Sequence, residues 1–197
     1  MKKILFIILD YSKVVIIAFV IATLISTQLF TFSKVQQRSM QNTLIHGDTI
    51  LIEKISLKFN ALKKGQIVVL LDEKNVDSSF WGKVVRLYKD MYGKFTRKTN
   101  ENRLVKRVIA LPGDEIDIFD GKVFLNGEEL IEEYAATKTY PRNFELPYTV
   151  KEGEVFVLGD NREVSKDSRE FGPIKNEQIE GIAVFRIFPL NKIGNLF

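Results

Sequence analysis

The chain has no cysteine and a single histidine, His46, among 197 residues. These absences remove disulfides, thiol catalysis, Cys-ligated zinc and any multi-histidine metal site together. A Ser-His-Asp triad would have to use His46, which lies in Ile45-His46-Gly47-Asp48, a stretch that reads as a turn. Hydrolytic chemistry is thereby left to Ser, Thr, Lys, Asp and Glu. Blocks of like charge are also missing: 29 basic and 25 acidic residues are spread along the whole sequence for a formal net charge of +4. That excludes a nucleic-acid-binding tail and gives no reason to expect a nucleic-acid partner. A modest basic excess suits an anionic membrane surface. There is no internal repeat and no low-complexity tract, and the 45% hydrophobic and 27% charged composition is that of one globular unit with an appendage.

The appendage is at the N-terminus. Val14 to Phe32 carries no charge and is rich in Val, Ile, Ala, Leu and Phe, long enough to cross the hydrocarbon core as a helix. The rival reading is a removed secretory signal, with Lys2 and Lys3 as its charged start. A retained anchor is favoured, because the run exceeds a usual signal core and Ser33-Lys34-Val35 offers no small-x-small cleavage site. Lys2, Lys3 and Lys13 before the run, against Lys34 and Arg38 after it, place the N-terminus in the cytoplasm. The expected organisation is a short segment 1–13, a single membrane span 14–32 and an extracytoplasmic domain 33–197. Thr23, Ser26, Thr27 and Thr31 recur at helical spacing, either as a polar stripe for a neighbouring helix or as the end nearing the headgroups.

Beyond Ser33 the pattern changes to short β-type runs divided by Gly, Pro, Asn and Asp: Thr49 to Glu53, Gln66 to Leu71, Leu104 to Leu111, Glu115 to Phe119, Lys122 to Leu125, Glu154 to Leu158 and Ile182 to Phe188. The fold class is mostly β. Asp120-Gly121 and Asn126-Gly127 are tight-turn signals and predict hairpins. One stretch differs, since Phe80, Trp81, Val84, Val85, Tyr88, Met91, Tyr92 and Phe95 follow helical spacing with Lys83, Arg86, Lys89 and Lys94 between them. It predicts an amphipathic helix that lies at a membrane interface or packs on the β domain.

Three segments carry the chemistry: Ser39-Met40-Gln41-Asn42-Thr43-Leu44; Val105-Lys106-Arg107-Val108-Ile109-Ala110-Leu111-Pro112-Gly113-Asp114; and Gly159-Asp160-Asn161-Arg162 running on through Ser165, Asp167, Ser168 and Arg169 to Phe171-Gly172. In this order, after an apolar anchor, they resemble the bacterial type I signal peptidases. The resemblance covers nearly the whole chain apart from an insertion at about Asp72 to Asn100. It implies a signal-peptidase-like β domain and a serine endopeptidase that removes signal peptides from exported preproteins, with Ser39 as nucleophile, Lys106 as general base and no cofactor. Ser165 would orient the lysine amine. Asp160, Asp167, Arg107 and Arg169 would form a charge network around the dyad, and Met40 and Gln37 would support the nucleophile loop and its oxyanion hole.

The residues make physical sense on their own terms. A serine hydroxyl is a poor nucleophile until a base removes its proton, and in this composition a neutral lysine amine is the natural base. Strand alternation puts Lys106 on one face with Leu104, Val108 and Ala110, while Arg107 shares the other with Val105, Ile109 and Leu111. If the first face is buried, desolvation favours the uncharged amine. Ser39, seven residues beyond Phe32, stays within roughly 25 Å of chain from the membrane.

Two positions depart from the family pattern. Many members carry Gly or Ser two residues before the nucleophile and Pro three after it, where this chain has Gln37 and Asn42. The resemblance assigns the oxyanion hole to the Ser39 N–H and a donor at position 37, which a glutamine amide can supply. The altered loop motivates an alternative, a membrane-anchored assembly factor for pili or other surface fibres that binds pilin subunits without cutting. Expected partners are therefore signal-peptide-bearing preproteins, membrane lipid, and secretion machinery or pilin subunits.

Overall fold

The computed structural model describes residues 2–59, 61–71, 76–96 and 103–196. A single helix, α1 (Lys2–Gln28), opens the chain. Its 27 residues extend about 40 Å at 1.5 Å per residue, and Asp10–Gln28 is long and apolar enough to cross a membrane. Val14, Ile16, Phe19, Ile21 and Leu24 all stay exposed, as they would facing lipid rather than a protein core. The helix stops earlier than the apolar run does. Phe30–Lys34 forms strand β1, antiparallel to β2 (Thr49–Glu53), and the Lys54 N–H closes the junction onto the Leu29 carbonyl at 2.8 Å. Composition shows one continuous apolar run because no Gly or Pro separates its helical part from its strand part.

A short helix α2 (Ile55–Lys58), β3 (Ile67–Leu71), α3 (Phe80–Phe95) and β4 (Arg103–Ala110) follow. Next come β5 (Glu115–Phe119), β6 (Lys122–Leu125), β7 (Glu128–Glu129), β8 (Tyr148–Thr149) and β9 (Glu154–Leu158). The chain ends with a turn of helix α4 (Ser168–Phe171), β10 (Ile174–Lys175), β11 (Ile179–Phe188) and β12 (Gly194–Asn195). The large sheet has the order β1-β2-β11-β3-β4-β9-β10, with β12 on the edge of β11, and a smaller sheet has the order β7-β6-β5-β8. The fold is mostly β, as the sequence predicts, and every predicted run holds a strand, whereas the five-residue β1 lies inside the apolar run and was not expected as one. The two-residue strands β7, β8, β10 and β12 are too short to show a period.

Both faces of the large sheet are covered. One core gathers Val35, Met40, Leu44, Ile50, Ile52, Ile67 and Val69, and a second gathers Val68, Leu70, Val108, Val155, Val157 and Ile182. A third joins the two sheets through Ile109, Ala110, Ile116, Ile118, Phe156 and Leu158. The register of β4 on β9 shifts between Val108 and Ala110, so alternation is interrupted there and both Ile109 and Ala110 join the third core. The hairpins β5-β6 and β6-β7 turn on Asp120-Gly121 (φ 50° and 77°) and Asn126-Gly127 (φ 55° and 82°). Positive φ at both central residues is what a type I′ turn demands.

The amphipathic helix α3 packs on α1. The Tyr88 ring stacks on Phe19 with centroids 5.6 Å apart, and its hydroxyl lies 2.6 Å from Thr23 Oγ1. Thr23 thus serves the neighbouring helix, whereas Thr27 returns its hydrogen to the Thr23 carbonyl at 2.8 Å. Asp90 ties α3 to the β domain through Arg103 at 2.6 Å. Trp81, Val85, Tyr92 and Phe95 remain exposed.

Candidate active site

The loop between β1 and β2 carries Ser39, and it is held from beneath by apolar anchors on either side. Val35, Met40 and Leu44 are buried in the first core, and the Leu44 N–H donates to the Met40 carbonyl at 2.7 Å. Met40 therefore supports the loop by packing. Lys106 lies on β4, an inner strand hydrogen-bonded to β3 and β9, so its backbone is fixed on both sides. Its Nζ is 2.8 Å from Ser39 Oγ, with Lys106 1% and Ser39 6% exposed. Ser39 Oγ is also 3.3 Å from the Val105 carbonyl. Burial withdraws the water that would stabilise an ammonium, the environment a lysine base requires.

The turn after β9 closes over the pair. The Asn161 N–H donates to the Ser39 carbonyl at 3.0 Å. At Gly159 a Cβ would stand 2.2 Å from Ser165 Oγ and 2.5 Å from the Ser39 carbonyl oxygen, so only glycine lets the turn approach this closely. Asp160, fully buried, receives both Nε (2.9 Å) and Nη2 (2.6 Å) of Arg107 and the hydroxyl of Thr43 (2.5 Å). Arg107 also donates to the Gly65 carbonyl at 2.7 Å and lies 4.0 Å over the Tyr134 ring.

Asp167 caps α4 and receives Nε and Nη2 of Arg169, each at 2.9 Å, together with the Gly159 N–H at 3.1 Å. Burial pushes the Asp167 pKa up, but the Arg169 guanidinium and the Gly159 N–H outweigh it and hold the carboxyl below the ordinary aspartate value. The four residues expected as one charge network thus form two buried bidentate pairs. Both are fastened to the same turn, Asp160 belonging to it and Asp167 bonding Gly159.

Ser165 is fully buried at the dyad's edge, its N–H on the Asn161 carbonyl at 3.1 Å and its own carbonyl accepting from Arg142 at 2.8 Å. Its hydroxyl favours the ionised form of Asp167 without making a hydrogen bond of full geometry to any described residue. The bond to the lysine amine implied by family resemblance is therefore not formed in this structure. His46 is exposed in its turn with Nδ1 2.9 Å from the Gln36 carbonyl. Lys106, not His46, is the side chain that reaches Ser39.

Several contributors have roles that sequence reasoning did not assign. Thr43 stands inside the serine motif, and its bonds to Asp160 and Arg107 (3.4 Å) link the nucleophile loop to the first ion pair. Arg162, 1% exposed, forks onto Glu132 at 2.6 and 2.8 Å, bonds the Gly159 carbonyl at 3.0 Å and contacts the Thr139 hydroxyl. Arg162 belongs to the Gly-Asp-Asn-Arg run and was visible there. Glu132, Tyr134 and Thr139 lie between β7 and β8 in a long irregular segment whose pattern gives no signal. Among the described residues, no cluster of His, Asp and Glu is arranged to hold a metal ion.

Gln37 is exposed two residues before Ser39. If its side-chain amide donates to the developing oxyanion, Gln37→Ala lowers kcat more than it raises KM, by up to about 2.7 to 4 kcal/mol in activation free energy. Steady-state kinetics on a signal-peptide substrate checks this, and a silent variant assigns the role to backbone N–H groups.

Comparison with known proteins agrees with the geometry. The family model described as signal peptidase, peptidase S26, matches residues 8–188. The chain is 31% identical to a probable signal peptidase I-2 of Synechocystis sp. over 95% of its own length and 77% of the relative's. It is 34% identical to a probable signal peptidase I-1 of the same organism, over 80% of this chain and 71% of that one. Signal peptidase IB of Staphylococcus aureus (strain COL) is 29% identical over 96% of this chain and 94% of its own. With a buried serine and lysine in contact and a family match across nearly the whole sequence, this chain belongs to the signal peptidase family, peptidase S26, and is a serine endopeptidase that cleaves signal peptides.

Proposed function

We propose that Ser39 and Lys106 carry out the cleavage, and that α1 holds the chain in the membrane with the β domain on the extracytoplasmic side. The observation that carries the catalytic reading is the 2.8 Å approach of Lys106 Nζ to Ser39 Oγ in a buried setting. The neutral amine takes the Ser39 proton as Oγ attacks the scissile carbonyl carbon of the preprotein, and the carbonyl oxygen becomes an oxyanion. The Ser39 N–H and a donor from Gln37 face that charge. Collapse expels the amino terminus of the mature protein, which takes its proton from Lys106. A water molecule, deprotonated in turn by Lys106, then releases the signal peptide from Ser39. The Arg107–Asp160 and Arg169–Asp167 pairs hold the turn that covers the dyad.

The anchoring reading rests on α1. Nineteen residues, Asp10–Gln28, match a bilayer core of about 30 Å at 1.5 Å per residue, and β1 begins two residues later, which keeps Ser39 near the surface where a signal peptide is still held in lipid. Protease added to intact spheroplasts digests the region beyond Ser33 if this topology is right. Full protection, alongside protected cytoplasmic markers, overturns it. The substrates are preproteins with signal peptides, met as exported chains emerge beside the secretion machinery. Nothing in the site favours the pilin-binding alternative, because a module that only binds has no chemical use for a serine and a lysine in contact.

A further inference from the structure

Away from the dyad, a cavity of about 230 Å³ opens between the end of α1, the flank of α3 and the β domain. Five basic and three acidic side chains line it, so its wall carries an excess of positive charge. The inner acids are engaged: Glu180 with Lys54 (3.4 Å) and Arg103 (2.5 Å), and Asp90 with Arg103 (2.6 Å). The outer cations are not neutralised in the same way. Among the described residues, Lys58 and Lys83 have no carboxylate within ion-pair distance, and Arg86 donates only to the Asp77 carbonyl at 3.3 Å. Glu177 is the remaining carboxylate on the wall.

We propose that this cavity binds the phosphate headgroup of an anionic phospholipid, with Lys58, Lys83 and Arg86 as its cationic contacts, an inference that rests on α1 being a membrane anchor. Depth is the first argument. Ser26, Thr27 and Gln28 line the cavity and are also the last residues of the apolar span, so it opens where hydrocarbon gives way to headgroups. Charge is the second. Burial, and then the nearby Lys58 and Arg86, lower the pKa of Lys83; a phosphate among the three relieves that repulsion. The third is aromatic: exposed Trp81, two residues from Lys83 on the same helix, is a residue type that favours the headgroup level.

Trp81 is the only tryptophan in the chain and sits two residues from Lys83, so its fluorescence reports on the site. The full chain in neutral detergent micelles is titrated with short-chain phosphatidylglycerol, phosphatidylcholine or inorganic phosphate. A saturable response to phosphatidylglycerol alone is expected. Lys83→Gln weakens it about 5-fold and the Lys83→Gln/Arg86→Gln pair roughly 30-fold, at one surface-cation increment each, with hydrolysis of a soluble signal-peptide substrate unchanged. Lys89→Gln, an exposed cation on α3 away from the cavity, is expected to leave the response intact. An equal response to phosphatidylcholine, the same saturation with inorganic phosphate, or equal weakening by Lys89→Gln overturns the headgroup site. Flotation with phosphatidylcholine vesicles separates the two levels: a chain that floats but does not discriminate lipids refutes only this site, whereas one that fails to float refutes the anchor as well.

Discussion

Ser39→Ala, Lys106→Ala and the double variant are expected to lose similar amounts of cleavage activity, each on the order of 10² to 10⁴-fold or more, far short of additivity. Lys106 Nζ and Ser39 Oγ are 2.8 Å apart, and in the proposed dyad each is the other's reason for reactivity. The amine is useful only while it can accept the Ser39 proton, and the hydroxyl attacks only when that proton has somewhere to go. Removing either group removes the same step, so the second loss finds little left to remove. Lys106→Arg is expected to be as inactive as Lys106→Ala, since a guanidinium stays charged at any working pH and cannot act as base. The pH profile gives an independent readout: the active form has Lys106 neutral, so cleavage rises with pH and falls on acidification as the amine is protonated. These measurements are made on variants whose circular dichroism matches the parent. If Lys106→Ala keeps substantial activity while folded, the dyad is wrong, and a base elsewhere must be found although exposed His46 bonds only the Gln36 carbonyl.

How much of this was legible beforehand depends on the range of the interactions concerned. Thr49–Glu53, Glu115–Phe119, Lys122–Leu125 and Glu154–Leu158 announce themselves as short β-type runs between turn residues, with period-two alternation clear in Glu115–Phe119, and Phe80–Phe95 through helical spacing, because each pattern is local. Ser39 and Lys106 were legible through ordered motifs, although 67 positions separate them. What stayed hidden depends on partners distant in sequence. The strand Phe30–Lys34 merges into the apolar run before it, since only its ladder with Thr49–Glu53 distinguishes it from more helix. The Arg162–Glu132 fork joins a recognisable turn to an irregular segment 30 residues away, and no spacing rule specifies such a pair. The packing of α3 on α1 through Tyr88 and Thr23, 65 positions apart, likewise follows from the tertiary fold alone.

Asp167→Ala is expected to cost about 3 to 5 kcal/mol of folding stability, because it leaves the Arg169 guanidinium, 2% exposed, buried without its countercharge. The same change deprives the Gly159 N–H and the first turn of α4 of their acceptor. At about 2 to 4 °C per kcal/mol for a domain of this size, thermal unfolding falls by roughly 6 to 20 °C. Arg169→Ala strands the carboxylate instead and is expected to cost a comparable amount. The double variant, which removes both charges from the interior, destabilises by clearly less than the sum of the two. Acid titration tests the same pair by another route. The folded Asp167 carboxyl titrates below its ordinary value, chiefly because the Arg169 pairing outweighs burial. Its contribution is therefore fully present above the unfolded value of about 3.9 and is lost as pH falls below that value and through the folded one. In Asp167→Asn that portion of the acid-induced loss is absent, so its stability deficit against the parent is constant at neutral pH and narrows below about pH 4. A deficit that stays constant down to pH 2 would mean that Asp167 acts here by shape and hydrogen bonding, with its charge irrelevant to the fold.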